Sequence, residues 1–480
     1  MAIHLVLALA FHAALTSGAE LVVPVDGKVA SIIATVAAAS SGDTVVVPAG
    51  RWTNCSEPIV GLGSGVAITV TGAGAADTII DCEGTGRILD GSTDFDGWVM
   101  EDMAMINGGG AIDDADARAG CIRVRSGCHL TLRRVELMGC TLGGARTGTY
   151  KGGAIHVANN AYLALVDVVI RDSTVTTVGS GQGGALASAA DTVISFDNVT
   201  ISGCGAHSGG GLWIAGSKVY IHGAGLLVEG NSAADTAGGA YFRAGTEFFG
   251  AGPLIVRNNA AGGDGGGVLF RVATTNGTIA SIVATGNSAG GCGGGINWGH
   301  DAPITVTGGV VASGNSATDG GGVCFTQGRR EVTVFLDASS NVTSNTASRH
   351  GGGIYIAASS TDMVLDGTYV SDNTAADGSG IFIEGSSNVK PSLWGVIITR
   401  NFSPTGGALA LGDFPSASVD TAGSSSCGNY GGNNEAVDVH CHGDSRFVNP
   451  VAGGCTQGSR CLRADSACDH AATCASASQS

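Results

Sequence analysis

Short apolar segments separated by glycine-rich turns recur along most of the chain. A Gly-Gly or Ser-Gly pair followed by a small or apolar residue occurs ten times, and successive second glycines are 27 to 31 residues apart. These second glycines are Gly153, Gly184, Gly211, Gly239, Gly267, Gly295, Gly322, Gly353, Gly380 and Gly407. A fixed period of this length indicates a solenoid in which each repeat is one supersecondary unit.

Within each repeat, the apolar residues form short strand-like segments. In the repeat after Gly353, residues 354–357 and 362–365 read as strands, and Tyr369 and Val370 begin a third. The repeats lack a 3.6-residue apolar period, so about three short strands and no helix are expected in each. Stacked repeats of this kind predict an all-β, right-handed parallel β-helix (β-solenoid) with about 27–31 residues per coil.

Two columns of residues are predicted to point into the solenoid. The residue after the second glycine is small or apolar in every repeat. Two positions further on, four consecutive repeats carry large aromatic residues, namely Phe242, Phe270, Trp298 and Phe325. Residues two apart share one face of a strand, so both columns are expected to form the core, with the aromatic rings stacked.

A third column is made of asparagine, six to eight residues before the second glycine. Its members are Asn231, Asn259, Asn287, Asn315, Asn345, Asn373 and Asn401. Asn suits bends, and equivalent Asn side chains in stacked coils can bond one another. We therefore predict a structural ladder, and we expect Asn401 to carry no glycan although it begins an Asn-x-Ser sequon.

The residues between the two inward columns are expected to point outward. They are Leu186, Trp213, Tyr241, Leu269, Asn297, Cys324, Tyr355, Phe382 and Leu409. Water-facing strand positions are usually polar, yet most of these are apolar, in a chain with only five Trp and seven Tyr. The column predicts either a binding face with Trp213, Tyr241, Tyr355 and Phe382 partly accessible, or a face covered by another part of the chain.

These repeats resemble two groups of known proteins. Residues 314–323 resemble the repeats of chlamydial polymorphic outer-membrane proteins, although the Phe usually found three residues before the Asn is missing. That resemblance implies a β-helical passenger used as an adhesin. Residues 41–50, 69–74 and 78–81 resemble the first coils of pectin-lyase-like β-helix proteins. That family includes lyases, hydrolases and adhesins, so the resemblance specifies the fold better than the function.

The two ends differ from the repeats. Residues 1–18 read as a secretory signal peptide, with an apolar run before small residues suited to cleavage. The β-helix is predicted to cover residues 19–425. Residues 426–480, which contain six Cys, are predicted to form a disulfide-stapled terminal coil, cap and tail. Four apolar residues near the start are spaced for one face of a short capping helix, namely Val29, Ile32, Ile33 and Val36.

Composition narrows the location and the partners. Fourteen Cys without a CxxC pair fit disulfides in an oxidising compartment, so the chain is expected to be secreted and extracellular. Cys55 and Cys82 lie one coil apart, at 27 residues, and are predicted to pair, whereas Cys121 and Cys128 are placed to close a small loop. Acidic residues outnumber basic ones 40 to 23, which disfavours nucleic acid as a partner. After the signal peptide, no apolar run approaches the roughly 20 residues that a membrane helix needs.

Candidate chemistry is sparse. The Asn-Thr-Asp and Arg-Ile-Lys motifs of polygalacturonases are absent, and the chain has few Lys to act as the base of a lyase. Asp319, His350 and Asp377 each stand three residues before a second glycine, so stacking would place them in a row at one bend. Such a row is a weak candidate for acid–base chemistry, and Asp before Gly is also ordinary turn chemistry. No metal site and no cofactor are predicted.

These features favour a surface, matrix or adhesion module over an enzyme. The expected partner is an extracellular polysaccharide or a cell-surface protein. One alternative is a carbohydrate-active enzyme, either a polysaccharide lyase or a glycoside hydrolase. The other is a purely structural solenoid.

Overall fold

The computed structural model describes residues 18–448, except 64, 92–94, 112–117, 145–148, 178–179, 244, 272–276, 300–303, 327–334, 358–363, 385–391, 413–417, 421–423, 428, 430, 432–438 and 442–445. Residues 1–17 of the predicted signal peptide and most of the predicted Cys-rich cap therefore lie outside the described residues.

The described chain is a parallel β-solenoid, as predicted. Successive coils pair in parallel and in register, for example Tyr241 with Leu269 and Tyr355 with Phe382. Sheet A has 18 strands. They are Glu20–Val22, Thr44–Val46, Gly50–Trp52, Thr69–Thr71, Thr78–Asp81, Asp96–Ile106, His129–Met138, Tyr162–Arg171, Val193–Ser202, Lys218–Glu229, Glu247–Gly250, Leu254–Arg257, Ile282–Thr285, Val310–Ser313, Asn341–Thr343, Tyr369–Ser371, Ile397–Thr399 and Ser425–Cys427.

Sheet B has 14 strands, of two to four residues each. They are Ile59–Val60, Leu89–Asp90, Ile122–Val124, Ile155–Val157, Leu186–Ser188, Leu212–Ala215, Ala240–Arg243, Val268–Arg271, Ile296–Gly299, Val323–Phe325, Ile354–Ile356, Ile381–Ile383, Leu409–Leu411 and Val439–Cys441.

Sheet C has nine strands and precedes sheet B in each coil. They are Gly109–Ala111, Thr141–Gly144, Thr174–Thr177, Gly205–Ala206, Ser232–Ala233, Ala260–Ala261, Ser288–Ala289, Ser316–Asp319 and Thr346–His350. Three smaller sheets complete the coils. Sheet D comprises Phe335–Leu336, Val364–Asp366, Ser392–Trp394, Ser418–Asp420 and Arg446–Val448, and two strand pairs comprise Thr149–Lys151 with Ser180–Gln182 and Gly277–Ile279 with Ile304–Val306.

The predicted capping helix is present at Val29–Ala37. Val29, Ile32 and Val36 are buried against the first coils, and Ile33 packs beside them. The apolar face that the sequence predicted is therefore the face that covers the core.

The two inward columns form the core. The rings of Phe242 and Phe270 stack with their centroids 5.6 Å apart, and Trp298 and Phe325 continue the stack in the next coils. All four are at most 3% exposed. The predicted aromatic stack is confirmed.

The asparagine ladder is confirmed, and it is longer than predicted. In each coil the side-chain Oδ1 accepts bonds from the backbone N–H and the Nδ2 of the preceding Asn, both at about 3 Å for Asn287 and Asn315. Asn429 extends the ladder beyond Asn401, whose backbone N–H donates to it at 2.8 Å. The side chain of Asn401 is fully buried, and the absence of a glycan there stays a prediction.

Within the described ranges, three disulfides join residues of neighbouring strands and bends. Cys55 and Cys82 are paired as predicted, with Cα atoms 5.1 Å apart. The predicted closure of a small loop by Cys121 and Cys128 is wrong. Cys121 forms a disulfide with Cys140, and Cys128 is a buried thiol. A strand of sheet B, Ile122–Val124, separates those two residues, whereas Cys140 lies at the bend that begins the next strand of sheet C.

Candidate ligand-binding face

The outer face of sheet B carries one side chain per coil between the two inward columns, and a second, such as Arg243, where the strand has four residues. Its strands are so short that the residues on either side of each outward position point into the core. We call this line of side chains the outward column. It runs through Arg123, His156, Ala187, Trp213, Tyr241, Leu269, Asn297, Cys324, Tyr355, Phe382 and Ala410.

Two members of the predicted column were wrong. Leu186 pairs with Leu212, and Leu409 pairs with Ile381, so both point into the core. The outward residues of those coils are Ala187 and Ala410. The physical reason is a shift of one residue after the glycines in these coils, which moves every following side chain to the opposite face.

The four aromatic residues lie outside the core, as the alternation predicted, but they are not open to solvent. Trp213 and Tyr241 are 5% exposed, Tyr355 is 8% and Phe382 is 6%. They belong to two apolar clusters separate from the core of the solenoid. The expectation of partly accessible rings was wrong, because long polar side chains and neighbouring rings cover them.

Cations cover the first pair of rings. Nζ of Lys151 lies 5.0 Å from the centroid of Trp213, and Cζ of Arg243 lies 5.6 Å from Trp213 and 5.8 Å from Tyr241. His156 occupies the outward column two coils before Trp213. We call Lys151, His156, Trp213, Tyr241 and Arg243 the Trp213 cluster. Burial, with Arg118 and Arg243 nearby, lowers the pKa of Lys151.

The second pair of rings adjoins the row of acidic and imidazole groups. The His350 ring stacks on Phe382 with centroids 4.3 Å apart, and Tyr355 lies parallel to Phe382 at 5.8 Å. The Tyr355 hydroxyl donates to Glu384 at 2.8 Å. Burial and this hydrogen bond raise the pKa of Tyr355. We call Asp319, His350, Tyr355, Phe382 and Glu384 the Tyr355 cluster.

Asp319 is the most heavily bonded carboxylate of this cluster. Arg349 donates two bonds to it, and Nδ1 of His350 lies 3.2 Å from its Oδ1. Burial alone would raise the pKa of Asp319, but the bonds from His350 and Arg349 outweigh it and hold that pKa below its usual value. Asp377 continues the predicted row through a backbone bridge to His350, and its carboxylate accepts the N–H of Gly378 at 2.8 Å.

This geometry supports proton transfer better than metal binding. An ionised Asp that holds one nitrogen of an imidazole leaves the other nitrogen available to move a proton. No hydrogen bond joins Nε2 of His350 to another described residue. Within the described ranges, no three His, Cys, Asp or Glu side chains converge as a metal ion would require, and no helix is long and apolar enough to cross a membrane.

Sequence reasoning missed several residues of both clusters. Arg243 and Glu384 each stand two positions after an outward aromatic residue, Tyr241 and Phe382. The same alternation that selected the rings would have placed them beside the rings. Lys151 had no such signal, because it belongs to a separate strand and reaches Trp213 only across the intervening coil.

Comparisons with known proteins give little further information. No family model matches the chain, and no curated protein is similar to it. Among solved structures, a similarity is found to the catalytic unit of a thermostable GH87 alpha-1,3-glucanase from Streptomyces thermodiastaticus strain HF3-3. The two chains are 13% identical, the match covers 93% of this chain and 71% of that chain, and the TM-score is 0.27. A similarity this weak carries no argument about function.

Proposed function

We propose that the chain is a secreted surface or matrix protein that binds a linear polysaccharide along the outward column of sheet B. The observation that carries this proposal is the apolar and aromatic character of a strand face that lies outside the core. Aromatic rings beside charged and hydrogen-bonding groups suit sugars, whose rings have apolar faces and polar edges.

The width of the column favours a polymer over a protein partner. Each coil contributes one outward side chain, or two where the strand has four residues, so the face is narrow and extends over many coils about 4.8 Å apart. A standard protein interface is a broad patch of roughly 800 Å² on each side, whereas this face is a long narrow strip. A single polysaccharide chain can follow the strip along its whole length.

The cover over the rings is compatible with binding. Lys151 and Arg243 have long side chains, and Arg243 is exposed to solvent. Such side chains change rotamer at modest entropic cost, so a ligand can slide beneath or beside them. The rings then gain a partner without any movement of the backbone.

Replacement of the aromatic rings tests the proposal. In a panel of extracellular polysaccharides, we expect Trp213→Ala and Tyr241→Ala each to weaken binding about tenfold, because one aromatic contact contributes about 1.4 kcal/mol. The measurement is the dissociation constant by biolayer interferometry. The matched control is Phe249→Ala, which removes a 37% exposed ring from the outer face of sheet A. Equal losses in the variants and the control, or no binding by the unmodified protein, would contradict the proposal.

A second function is favoured by the hydrogen bond between Asp319 and His350. In this alternative the protein cleaves a polysaccharide, and His350 moves a proton while Asp319 orients its ring. The ring of Phe382 stacks on the face of the same imidazole. Such an oriented base would act on the sugar bound at the Tyr355 cluster.

Substitution of His350 tests this alternative. We expect His350→Ala to reduce the rate of polysaccharide cleavage at least about 100-fold, because positioned acid–base groups contribute that much. The assay follows new reducing ends and unsaturated products over time. His222→Ala, which changes an imidazole that stacks on Tyr220, is the control. An unchanged rate in His350→Ala, or no rate in the unmodified protein, removes the catalytic role.

A further inference from the structure

The Trp213 cluster places two cations against one aromatic ring. Arginines elsewhere commonly bond a carboxylate on the neighbouring coil, as Arg134 does with Asp102 at 2.6 Å. Lys151 and Arg243 have no carboxylate partner among the described residues, although the chain has 40 acidic and only 23 basic residues. Two such cations against the same ring call for an explanation.

The two cations lie against the same aromatic ring. Both lie within 6 Å of the Trp213 centroid, at 5.0 Å for Lys151 and 5.6 Å for Arg243. Lys151 reaches this position from two coils away, across the small, buried side chain of Ala187. Besides burial, the charge of Arg243 contributes to the lowered pKa of Lys151, so the two cations are near enough to repel each other. An anion between them would remove the repulsion and bind both.

A buried imidazole lies two coils before Trp213 in the outward column, in the coil from which Lys151 reaches the ring. His156 is 1% exposed, and neither ring nitrogen has a hydrogen-bond partner among the described residues. The charged groups that act on it are all cationic, namely Arg87, Arg118, Arg123 and Lys151. A neutral imidazole carries one N–H donor, and a buried donor without an acceptor costs free energy. The missing acceptor and the missing counter-charge are both supplied by an oxyanion.

We propose that Lys151, Arg243 and His156 form an oxyanion site beside the Trp213 ring, and that this site takes a sulfate or carboxylate group. Lys151 and Arg243 would donate charge-assisted hydrogen bonds to the oxygens of this group, and the imidazole N–H of His156 would donate a further hydrogen bond to it. The site itself is independent of the proposed function. Only the identity of its carrier, an acidic polysaccharide, rests on that function.

Inorganic sulfate tests the site directly. The full secreted chain should bind sulfate in calorimetric titration, with sodium chloride of equal ionic strength in the reference cell. We expect the double variant Lys151→Gln, Arg243→Gln to bind at least tenfold more weakly, because it loses both charge-assisted donors. Lys151→Arg, which keeps the charge, should bind within about threefold of the unmodified protein.

The control variant is Lys28→Gln, Lys218→Gln. It changes the net charge equally but alters two exposed residues that belong to no strand of sheet B. Equal sulfate affinity in both double variants would overturn the proposal, as would the absence of sulfate binding in the unmodified protein. Identical circular dichroism and melting midpoints of the double variants would establish that a lost affinity is not lost folding.

Three dextrans with one backbone distinguish the source of the oxyanion. Dextran sulfate and carboxymethyl-dextran carry the two oxyanions, and unmodified dextran carries neither. Retention of either charged polymer, with loss in the Lys151→Gln, Arg243→Gln variant, supports an acidic polysaccharide. Equal retention of neutral dextran overturns the role of the oxyanion in binding the polymer. Sulfate binding without retention of any polysaccharide keeps the site and removes the proposed function.

Discussion

At the scale of single residues, the ladder shows how an amide side chain replaces the backbone partners that a bend leaves unpaired. Nδ2 of Asn315 donates to the carbonyl of Ala284 and to Oδ1 of Asn345, both at 2.9 Å. Its own Oδ1 accepts two bonds from Asn287. One side chain thus bonds three coils, and each bond is buried.

Removal of one ladder side chain should therefore destabilise the protein. We expect Asn315→Ala to lower the free energy of unfolding by about 1–3 kcal/mol, because buried donors and acceptors lose their partners. Asn341→Ala is the control, since Asn341 is exposed at the start of its strand. The midpoint of denaturant unfolding is measured for both variants. Equal midpoints for the two variants would show that the ladder contributes nothing.

His156 should make stability depend on pH. Burial and the surrounding cations hold its pKa well below the usual 6.5, so the unfolded chain binds a proton more readily than the folded one. Stability is therefore full above about pH 6.5 and falls on acidification, by at most about 1.4 kcal/mol per pH unit. Asp102, Asp319 and Asp372, whose pKa values are lowered, lose their contribution only near and below pH 4.

The test is His156→Leu. Between pH 6.5 and 5, we expect the melting midpoint of this variant to change less with pH than that of the unmodified protein. The reason is that the variant lacks the imidazole that accepts a proton only in the unfolded state. Parallel pH profiles of the two proteins would mean that His156 is not the group responsible.

At the scale of the element, the bend between sheets C and B sets where each coil turns. Gly320 and Gly351 adopt left-handed φ of 61° and 63° just after Asp319 and His350. A Cβ at Gly320 would stand 2.6 Å from the carbonyl oxygen of Val323, which no side chain can do without a shift. The acidic and imidazole groups of the row are therefore positioned by a backbone that requires glycine.

A pair of glycine substitutions separates strain from crowding. Gly84 also has a left-handed φ, of 75°, but no atom lies within 4 Å of a Cβ built there. We expect Gly84→Ala to cost about 1 kcal/mol from backbone strain and Gly320→Ala at least about 2 kcal/mol, because the clash adds to it. Calorimetric unfolding of both variants gives the comparison. A smaller cost at Gly320 would show that the bend relaxes easily.

Sequence periodicity predicted the elements because each depends on local spacing. Glycine intervals, apolar alternation and the Asn column located the strands, the core stack and the ladder. The outward positions of Leu186 and Leu409 were mispredicted, since a one-residue shift between bend and strand leaves the glycine spacing unchanged. The cover over Trp213 could not be predicted either, because Lys151 reaches it from another coil and nothing in the intervening sequence specifies that path.

At the scale of the whole molecule, each coil is held mainly by its two neighbours. Ladder bonds, parallel pairs and ion pairs such as Arg400 with Asp372 join residues about 28 positions apart. Cys292 and Cys324 add a covalent link between adjacent coils that the sequence reasoning did not predict. Both cysteines lie close to the glycines of their repeats. Their sequence separation of 32 residues is longer than one repeat, so the repeat spacing did not suggest the disulfide.

The one-side-chain width of the outward column bears on how such a gene can change. A tandem duplication of one repeat would meet matching Asn, glycine and strand partners at both junctions. The inserted coil would lengthen the face by one residue, about 4.8 Å, and leave the other positions in place. If the face binds a polysaccharide as proposed, unequal recombination would change the length of the binding face, and point mutation at single outward codons would change its side chains one position at a time.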